Sequence, residues 1–503
     1  MISISNTGHW LIEQAALQPN KHSIITPEKI LTYQNLKDES QIIANYFARL
    51  GIKKNDHVGI LFDHNYKFLI AINAIWFIGA VPVPLNSRNT VEDIQSQIKQ
   101  AGIKFLLIDE TISPQFSKIK FKNKIRIIFD DVIKDQIIKS DTLNSQPCLP
   151  ACSDLTESRR AGRFSIRNCS LIMFTSGSSG RPKAVIHTFQ NLFESVRAID
   201  SFANLQPSDI WLASLPFYHI SGFIILIRSL IAGSSIAFPN SSKFEDILLA
   251  IHQFDPTHIS LVPTTLLDFL NNGVSPDKNL KYVFLGGGPS DKQICIDAYE
   301  KGWPVVKVYG STETCSMVFA LNPSEIKLFP DSAGKPLGTN KIKIMNKSKN
   351  NGMGEIVVRS KSLFKKYYND QSLTEAKLKN GWYYTGDYGR LDDENYLYVE
   401  SRRKDLIITG GENVSAIEVE TVIKSHPLVK DVFVFALNDV KWGQMICAAI
   451  VSEKISEEGI KIFLKEKLAS YKIPKRFFVV PKIPRDDMGK IKQSELMKRL
   501  NLS

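Results

Sequence analysis

The chain has little that would staple it, anchor it or hold a metal cage. Its six cysteines, Cys148, Cys152, Cys169, Cys295, Cys315 and Cys447, are scattered and form no CxxC pair. That excludes a disulfide framework and a zinc ligand set, and it suits a reducing compartment such as the cytoplasm. Long hydrophobic runs are also missing. The longest, Phe217 to Phe238, is interrupted by His219, Gly222, Arg228 and Gly233, so it reads as buried helix and strand and not as a membrane span. Met1-Ile-Ser-Ile-Ser-Asn-Thr lacks a basic segment leading into an apolar run, and no signal peptide is expected. No internal repeat or low-complexity tract is visible. Acid is in relative deficit, with 51 Asp and Glu against 63 Lys and Arg, a net charge of +12. Such a balance fits a solvated lysine-rich surface, and it also fits an anionic partner.

What is present is a long chain of 503 residues with 43% hydrophobic content, enough for at least two cores. Strand-like runs alternate with helix-like runs. His57 to Phe62, Lys104 to Ile108 and Ile125 to Phe129 read as strands, and Ala80 to Leu85 as a strand ending in a proline-rich loop. Tyr66 to Ile78 has helical spacing of Phe68, Ile72 and Ile75. Ser140 to Asn168 is polar, with Pro147, Pro150 and Gly162, and reads as a loop or linker. Lys341 to Val399 is β-rich, with turn signals at Asn350-Asn-Gly and Asp392-Asp-Glu-Asn. Beyond Arg402 the alternation returns, with helices at 416–426 and 457–468 and strands at 431–437 and 445–451. A body of about 400 residues and a lobe of about 100 are expected, within ordinary domain sizes.

Six motifs carry chemistry, the glycine run Gly286–Gly288 counting with the Glu313 motif downstream of it. In Leu171-Ile-Met-Phe-Thr175-Ser176-Gly177-Ser178-Ser179-Gly180-Arg181-Pro182-Lys183-Ala184, a strand enters a loop of hydroxyls and glycines and then meets a cation. Backbone N–H groups, hydroxyls and Lys183 can wrap a polyphosphate, although a Ser/Gly-rich hairpin has the same composition. Pro182 stands where a Walker A loop needs Gly. Leu215-Pro216-Phe217-Tyr218-His219-Ile-Ser-Gly222 sets a histidine in an apolar stretch, a setting shared with ordinary core histidines. Phe284-Leu-Gly286-Gly287-Gly288 ends a strand in glycines that admit a flat ring to the backbone. It is not a GxGxxG fingerprint, because Asp291 fills the last position. Val308-Tyr309-Gly310-Ser311-Thr312-Glu313 offers a carboxylate suited to Mg²⁺, or a helix N-terminal acid. Trp382-Tyr-Tyr-Thr385-Gly386-Asp387 offers a carboxylate for a diol, or a plain Gly-Asp turn. The last two are Arg402-Arg403-Lys404-Asp405 with Gly410-Gly411-Glu412-Asn413, and Gly489-Lys490 near the C-terminus.

All six in this order resemble the adenylate-forming superfamily of acyl- and aryl-CoA synthetases, luciferases and carrier-loading adenylation domains. The resemblance covers essentially the whole chain. It implies an α/β fold, α+β in parts, with a large N-terminal adenylation domain at 1–401 containing β-rich subdomains. A hinge at 402–404 about Lys404 and a small mobile C-terminal α/β lobe at 405–503 complete it. It implies ATP, Mg²⁺ and CoA. Thr175, Ser176, Gly177, Ser178, Ser179, Gly180 and Lys183 would hold phosphates, with Mg²⁺ on Glu313. Gly286, Gly287, Gly288, Tyr309, Gly310, Thr312, Asp387 and Arg402 would hold the nucleoside. Lys490, Glu313 and His219 would be the catalytic residues: Lys490 would serve the first half-reaction, and His219 would gate the tunnel or position the acyl carbonyl. His219, Arg228 and Gly287 would bind the acid, and Gly410, Gly411 and Trp442 would line a CoA tunnel.

Within the superfamily the likeness narrows to the o-succinylbenzoate–CoA ligases of menaquinone biosynthesis. Pro216-Phe-Tyr-His219-Ile-Ser-Gly, Leu261-Val-Pro-Thr-Thr-Leu, Leu285-Gly-Gly-Gly-Pro and Ser425-His-Pro-Leu-Val carry it, together with Ile227-Arg228-Ser-Leu-Ile-Ala-Gly. Ala184, Ser311 and Lys404 depart from that pattern, where Gly, Met and Asp are more usual. The partners implied are a small carboxylic acid, ATP and CoA, and the two cosubstrates are polyanions that suit a basic chain. A fatty-acyl or other aryl-acid ligase would use the same machinery with a different pocket. No carrier domain follows the last lobe, so loading of a carrier protein is not expected. A basic nucleic-acid-binding protein is a distant alternative. Val451 to Ser503 holds thirteen Lys and Arg against seven Asp and Glu, but no helix-turn-helix, RNP or zinc-finger pattern is present. No nucleic-acid partner is expected, and a homodimer is among the assemblies open to such an enzyme.

Overall fold

The computed structural model describes residues 9–119, 125–132, 167–175, 182–288, 292–346, 352–401, 406–452, 454–484 and 491–502. Among them lie five sheets. The largest has nine strands. Six run parallel, in the order Val305–Ser311, Tyr282–Leu285, His258–Leu261, Ile210–Leu212, Ser235–Ala237 and His22–Ile25. Antiparallel strands close both edges: Ser316–Leu321 and Lys335–Pro336 at one, Ile30–Thr32 at the other. The central strands are short β-branched and aromatic runs, and Trp211, Ile259, Val283, Val305 and Val306 are fully buried. Burial on both faces is what a parallel sheet covered by helices requires. In open sheets of this kind, ligands bind beyond the carboxyl ends of the strands. Here those ends deliver Ser214, Val262, Gly286 and Thr312 to one cleft.

The helix Ile220–Ala232 covers this sheet. Twelve of its residues are buried, so it is apolar all round and belongs to the core. It closes at Gly233, in the left-handed region at φ 72°. A side chain at Gly222 would meet the Pro216 carbonyl oxygen at 2.2 Å. Glycine there lets Leu215–His219 lie against the first helical turn, which sets both His219 and Arg228 beside the cleft. The run Phe217–Phe238 is therefore helix and strand, as its composition implied.

The remaining expectations are met closely. The helix expected at 66–78 is Lys67–Phe77, and those expected at 416–426 and 457–468 are Ala416–Lys424 and Glu457–Lys465. The strands His57–Leu61, Val81–Pro84, Phe105–Ile108 and Ile125–Ile128 form one parallel sheet. The β-rich stretch forms an antiparallel sheet that includes Lys341–Met345, Gly354–Arg359, Trp382–Leu391 and Leu397–Ser401. Most of the polar stretch 140–168 lies outside the described residues, as do the Asn350-Asn turn positions.

The C-terminal part has its own sheet, Glu412–Ser415, Leu406–Thr409, Gly443–Val451, Asp431–Asp439 and Arg476–Val479. It also has its own core around Val414, Val419, Ile423, Val434, Ile450 and Leu464. A separate core is the physical mark of a separate domain. The lobe meets the body at several points. Tyr471 donates to Asn89 at 3.0 Å, and Lys472 bridges its own lobe's Glu418 to Asp93 of the body at 3.5 Å. Lys441 pairs with Asp268 at 3.4 Å. No described helix is long and apolar enough to cross a membrane.

Candidate active site

The cleft between body and lobe has a volume of about 370 Å³. It is built from four groups of residues.

The first group is the one expected from the sequence to meet a polyphosphate. The strands Cys169–Thr175 and Lys183–Thr188 pair so that Thr175 lies opposite Lys183. Ser176, Gly177, Ser178, Ser179 and Gly180 lie outside the described residues. Glu313 sits in the tight turn between Val305–Ser311 and Ser316–Leu321, not at a helix N-terminus. Cys315 and Ser316 take positive φ values of 58° and 83° there. Such strain persists only where the surroundings impose it. Ser195 donates to the Cys315 carbonyl at 2.6 Å, and the Thr314 hydroxyl accepts the Ser311 N–H at 2.7 Å. Glu313 is buried, and the Tyr367 hydroxyl donates to its Oε1 at 2.8 Å. The Lys183 ammonium lies 6.0 Å from the same tyrosine ring. The described residues contain no group of three or more His, Cys, Asp or Glu side chains placed to hold a metal. Mg²⁺ needs no such cage, because it keeps waters and binds through one or two carboxylates plus substrate phosphates. The buried Glu313 carboxylate beside Lys183 fits that use.

The second group is the one expected from the sequence to meet a nucleoside. The strand Trp382–Leu391 bulges where Glu355 pairs with Tyr388 and Val357 with Tyr384. Gly386, at φ 80°, takes the turn of the bulge. Its N–H donates to Glu355, and the Asp387 N–H donates to the Thr385 hydroxyl. The bulge re-aims Asp387 into the cleft, and the plain Gly-Asp turn is replaced by an interrupted strand. Tyr309, buried behind it, donates to Asp387 at 2.8 Å. Gly286, Gly287 and Gly288 line the opposite wall with Gly310 and Thr312. Arg402 and Lys404 lie outside the described residues, and so does Lys490.

The third group lies at the apolar end. Arg228 is 1% exposed and lines the cleft. None of its three guanidinium nitrogens has a hydrogen-bond partner, and it makes no ion pair among the described residues. Burial pushes the guanidinium down to about 9, with Cys315 acting weakly the other way. The alternative of a structural acid paired with Arg228 finds no support among the described residues. An unpaired buried charge costs several kcal/mol, so the position calls for an anion.

The fourth group comes from the lobe. The hairpin of Leu406–Thr409 and Glu412–Ser415 places Gly410 and Gly411 at its tip, at φ 57° and 83°. Gly411 abuts Val262 of the body, where an added Cβ would lie 2.7 Å from Cγ1. Trp442 packs behind Gly410, with the Lys475 ammonium 3.0 Å from its ring centroid. Glu412 had no role assigned from the sequence, and it is a buried polar link between the two domains. Its carboxylate is buried, receives His219 Nε2 at 3.0 Å and lies 3.4 Å from Arg88. Burial alone would raise the Glu412 carboxyl, but His219, Arg88 and Lys472 outweigh it and hold it below its ordinary range. Tyr367 and Arg88 were also missed. Only Glu412 had a sequence signal, as an acid directly after the paired glycines.

A cleft at the carboxyl ends of parallel strands, lined by the carboxylates of Glu313 and Asp387 and capped by a lobe, suits a nucleotide-dependent ligase. The chain belongs to the AMP-binding enzyme family, whose description it matches over residues 11–368, with the AMP-binding enzyme C-terminal domain over 418–490. It is an AMP-forming acid–CoA ligase. It is 33% identical to the 2-succinylbenzoate–CoA ligase of Bacillus subtilis, over 98% of each chain. To the enzyme of that name from Bacillus thuringiensis it is 32% identical, over 97% of each. Among solved structures, o-succinylbenzoate CoA synthetase of Bacillus subtilis is 32% identical. A double mutant of that enzyme bound with the product analogue OSB-NCoA superposes with a TM-score of 0.87, over 97% of this chain and 98% of that one. Its complex with the acyl-adenylate OSB-AMP gives 0.71, over 97% of each chain.

Proposed function

We propose that this protein joins o-succinylbenzoate to CoA through an acyl-AMP intermediate. One observation carries the choice of acid: Arg228, a buried cation lining the cleft whose guanidinium has no hydrogen-bond or acidic partner among the described residues. o-Succinylbenzoate has two carboxylates. The succinyl one reacts, and the ring one must be held away from water. A fatty acid brings no charge to that end and would leave Arg228 unpaired.

In the first half-reaction a succinyl carboxylate oxygen attacks the α-phosphorus of ATP, and the bond to pyrophosphate breaks. Both reactants are anions. Lys183 and the hydroxyl of Thr175 take up charge on the leaving group. Glu313 would hold Mg²⁺, which when bound would add charge neutralisation at the phosphates. Tyr367 fixes the Glu313 carboxylate, and Asp387, steadied by Tyr309, accepts hydrogen bonds from the ribose. Arg402 assists it. Lys490, brought in by the lobe, offsets charge in the transition state. The lobe then turns about Lys404. Lys490 leaves, and the Gly410–Gly411 tip enters.

The packing of the lobe supports assigning this arrangement to that second form. Gly411 sits on Val262, and Glu412 takes hold of His219. The closer superposition on the product-analogue complex supports the same reading. In this pose the CoA sulfur bonds to the acyl carbon, the bond to AMP breaks and the thiol proton is released. Glycines at the tip leave room for a narrow pantetheine arm, and His219 positions the acyl group.

Arg228→Ala tests the acid. Loss of the cation should cost about 2–5 kcal/mol toward o-succinylbenzoate and far less toward an analogue without the ring carboxylate. Thermal unfolding is measured beside the kinetics. A folded variant that handles both acids as the parent does would refute the assignment.

A further inference from the structure

Buried arginines are ordinarily held by acids, and this one is held otherwise. Asp209, two residues before Trp211, is already engaged. Lys281 pairs with it at 2.6 Å, and the Gln206 N–H donates to it at 2.7 Å. What lies under Arg228 is aromatic. Trp211 and Phe284 stand on strands of the large sheet, their rings stacked at 5.6 Å and 8° from parallel. The guanidinium carbon lies 5.1 Å from the Trp211 ring centre and 5.7 Å from that of Phe284. His258, on the next strand, stacks on Trp211 from 4.6 Å and continues the wall.

We propose that Trp211, with Phe284 beside it, is the positioning residue that makes Arg228 a receptor for the second carboxylate of the acid. The proposal rests on the reading of Arg228 given above. Its physical basis is the difference between the two ways of holding a cation. An acid consumes the N–H donors and cancels the charge. A ring face attracts the cation through its quadrupole and uses none of the donors. Placed on the ring wall, Arg228 keeps its planar fork for a substrate carboxylate, which it can bind through two parallel hydrogen bonds. The flat surface also fixes the plane of the guanidinium, which a flexible aliphatic wall would not.

The test is the same pair of acids, o-succinylbenzoate and the analogue without its ring carboxylate, with Trp211→Leu and Trp211→Phe. Losing the Trp211 face should lower kcat/KM for the diacid about 5- to 30-fold, mainly through KM. The analogue should change less than about twofold. Trp211→Phe, which keeps a weaker ring face, should recover most of the diacid rate. Should Trp211→Leu fail to fold, Phe284→Leu removes the second ring and must show the same loss confined to the diacid. Equal losses for both acids in a folded variant, or no loss for the diacid, overturns the proposal. A parent enzyme that ignores o-succinylbenzoate defeats the substrate reading first. If Arg228→Ala separates the two acids but the ring variants do not, only the ring wall is refuted.

Discussion

Gly411→Ala separates the two half-reactions by geometry. The added Cβ would lie 2.7 Å from Val262 Cγ1 and 3.5 Å from its Cβ. Gly411 also has φ 83°, which costs an L-residue about 1–2 kcal/mol. That backbone cost belongs to the hairpin in any lobe position, so it lowers the stability of the lobe without choosing between poses. The contact with Val262 exists only when the tip is docked. Overpacking of this kind costs about 1–3 kcal/mol, or about 5- to 150-fold in a rate that requires docking. Acyl-AMP formation, followed by pyrophosphate release, should stay within a few-fold of the parent. Transfer from supplied acyl-AMP to CoA should fall by the larger factor. Val262→Ala makes room for the new methyl, and in the double variant CoA transfer should recover. A Gly411→Ala enzyme that transfers at the parental rate would refute the docking argument, and so would a double variant no better than the single one.

Lys490→Ala should cut acyl-AMP formation by orders of magnitude, as for a lost transition-state charge partner, while transfer from supplied acyl-AMP survives; equal loss of both contradicts a two-pose enzyme. The docked Glu412 carboxyl titrates below its ordinary value of 4.5, so its support for docking is full above that value and fades as pH falls through the lower, docked one. A distance probe spanning body and lobe should report opening in that acid range, and in Glu412→Gln the step should vanish. Gly222→Ala places a methyl 2.2 Å from the Pro216 carbonyl oxygen, and the backbone must shift to admit it. Its melting temperature should drop by several degrees with loss of activity toward every acid, and an unshifted melting curve would show that the segment yields freely.

Much of this was legible in order along the chain. Strands such as His57–Leu61 and the helix Lys67–Phe77 announce themselves because their periodicity is local. Arg228 was legible because a lone charge inside an apolar helix has no cheap place to go. The function of Glu412 was not. It depends on His219, 193 residues away, and no local pattern records which acid meets which histidine when two domains close. The same holds for Tyr367, 54 residues from the Glu313 it steadies. Asp387 was found, but its setting was not. A Gly-Asp pair looks like a turn, and only the pairing of Gly354–Arg359 with Trp382–Leu391 turns it into a bulge.

Activation of one particular diacid is best tested by ATP–pyrophosphate exchange across a panel of carboxylic acids. The panel contains o-succinylbenzoate, its analogue without the ring carboxylate, benzoate and fatty acids of several lengths. Exchange should be strongest with o-succinylbenzoate, with AMP and the CoA thioester of that acid appearing once CoA is added. Strong exchange with a fatty acid or a simple aryl acid, and none with o-succinylbenzoate, would contradict it.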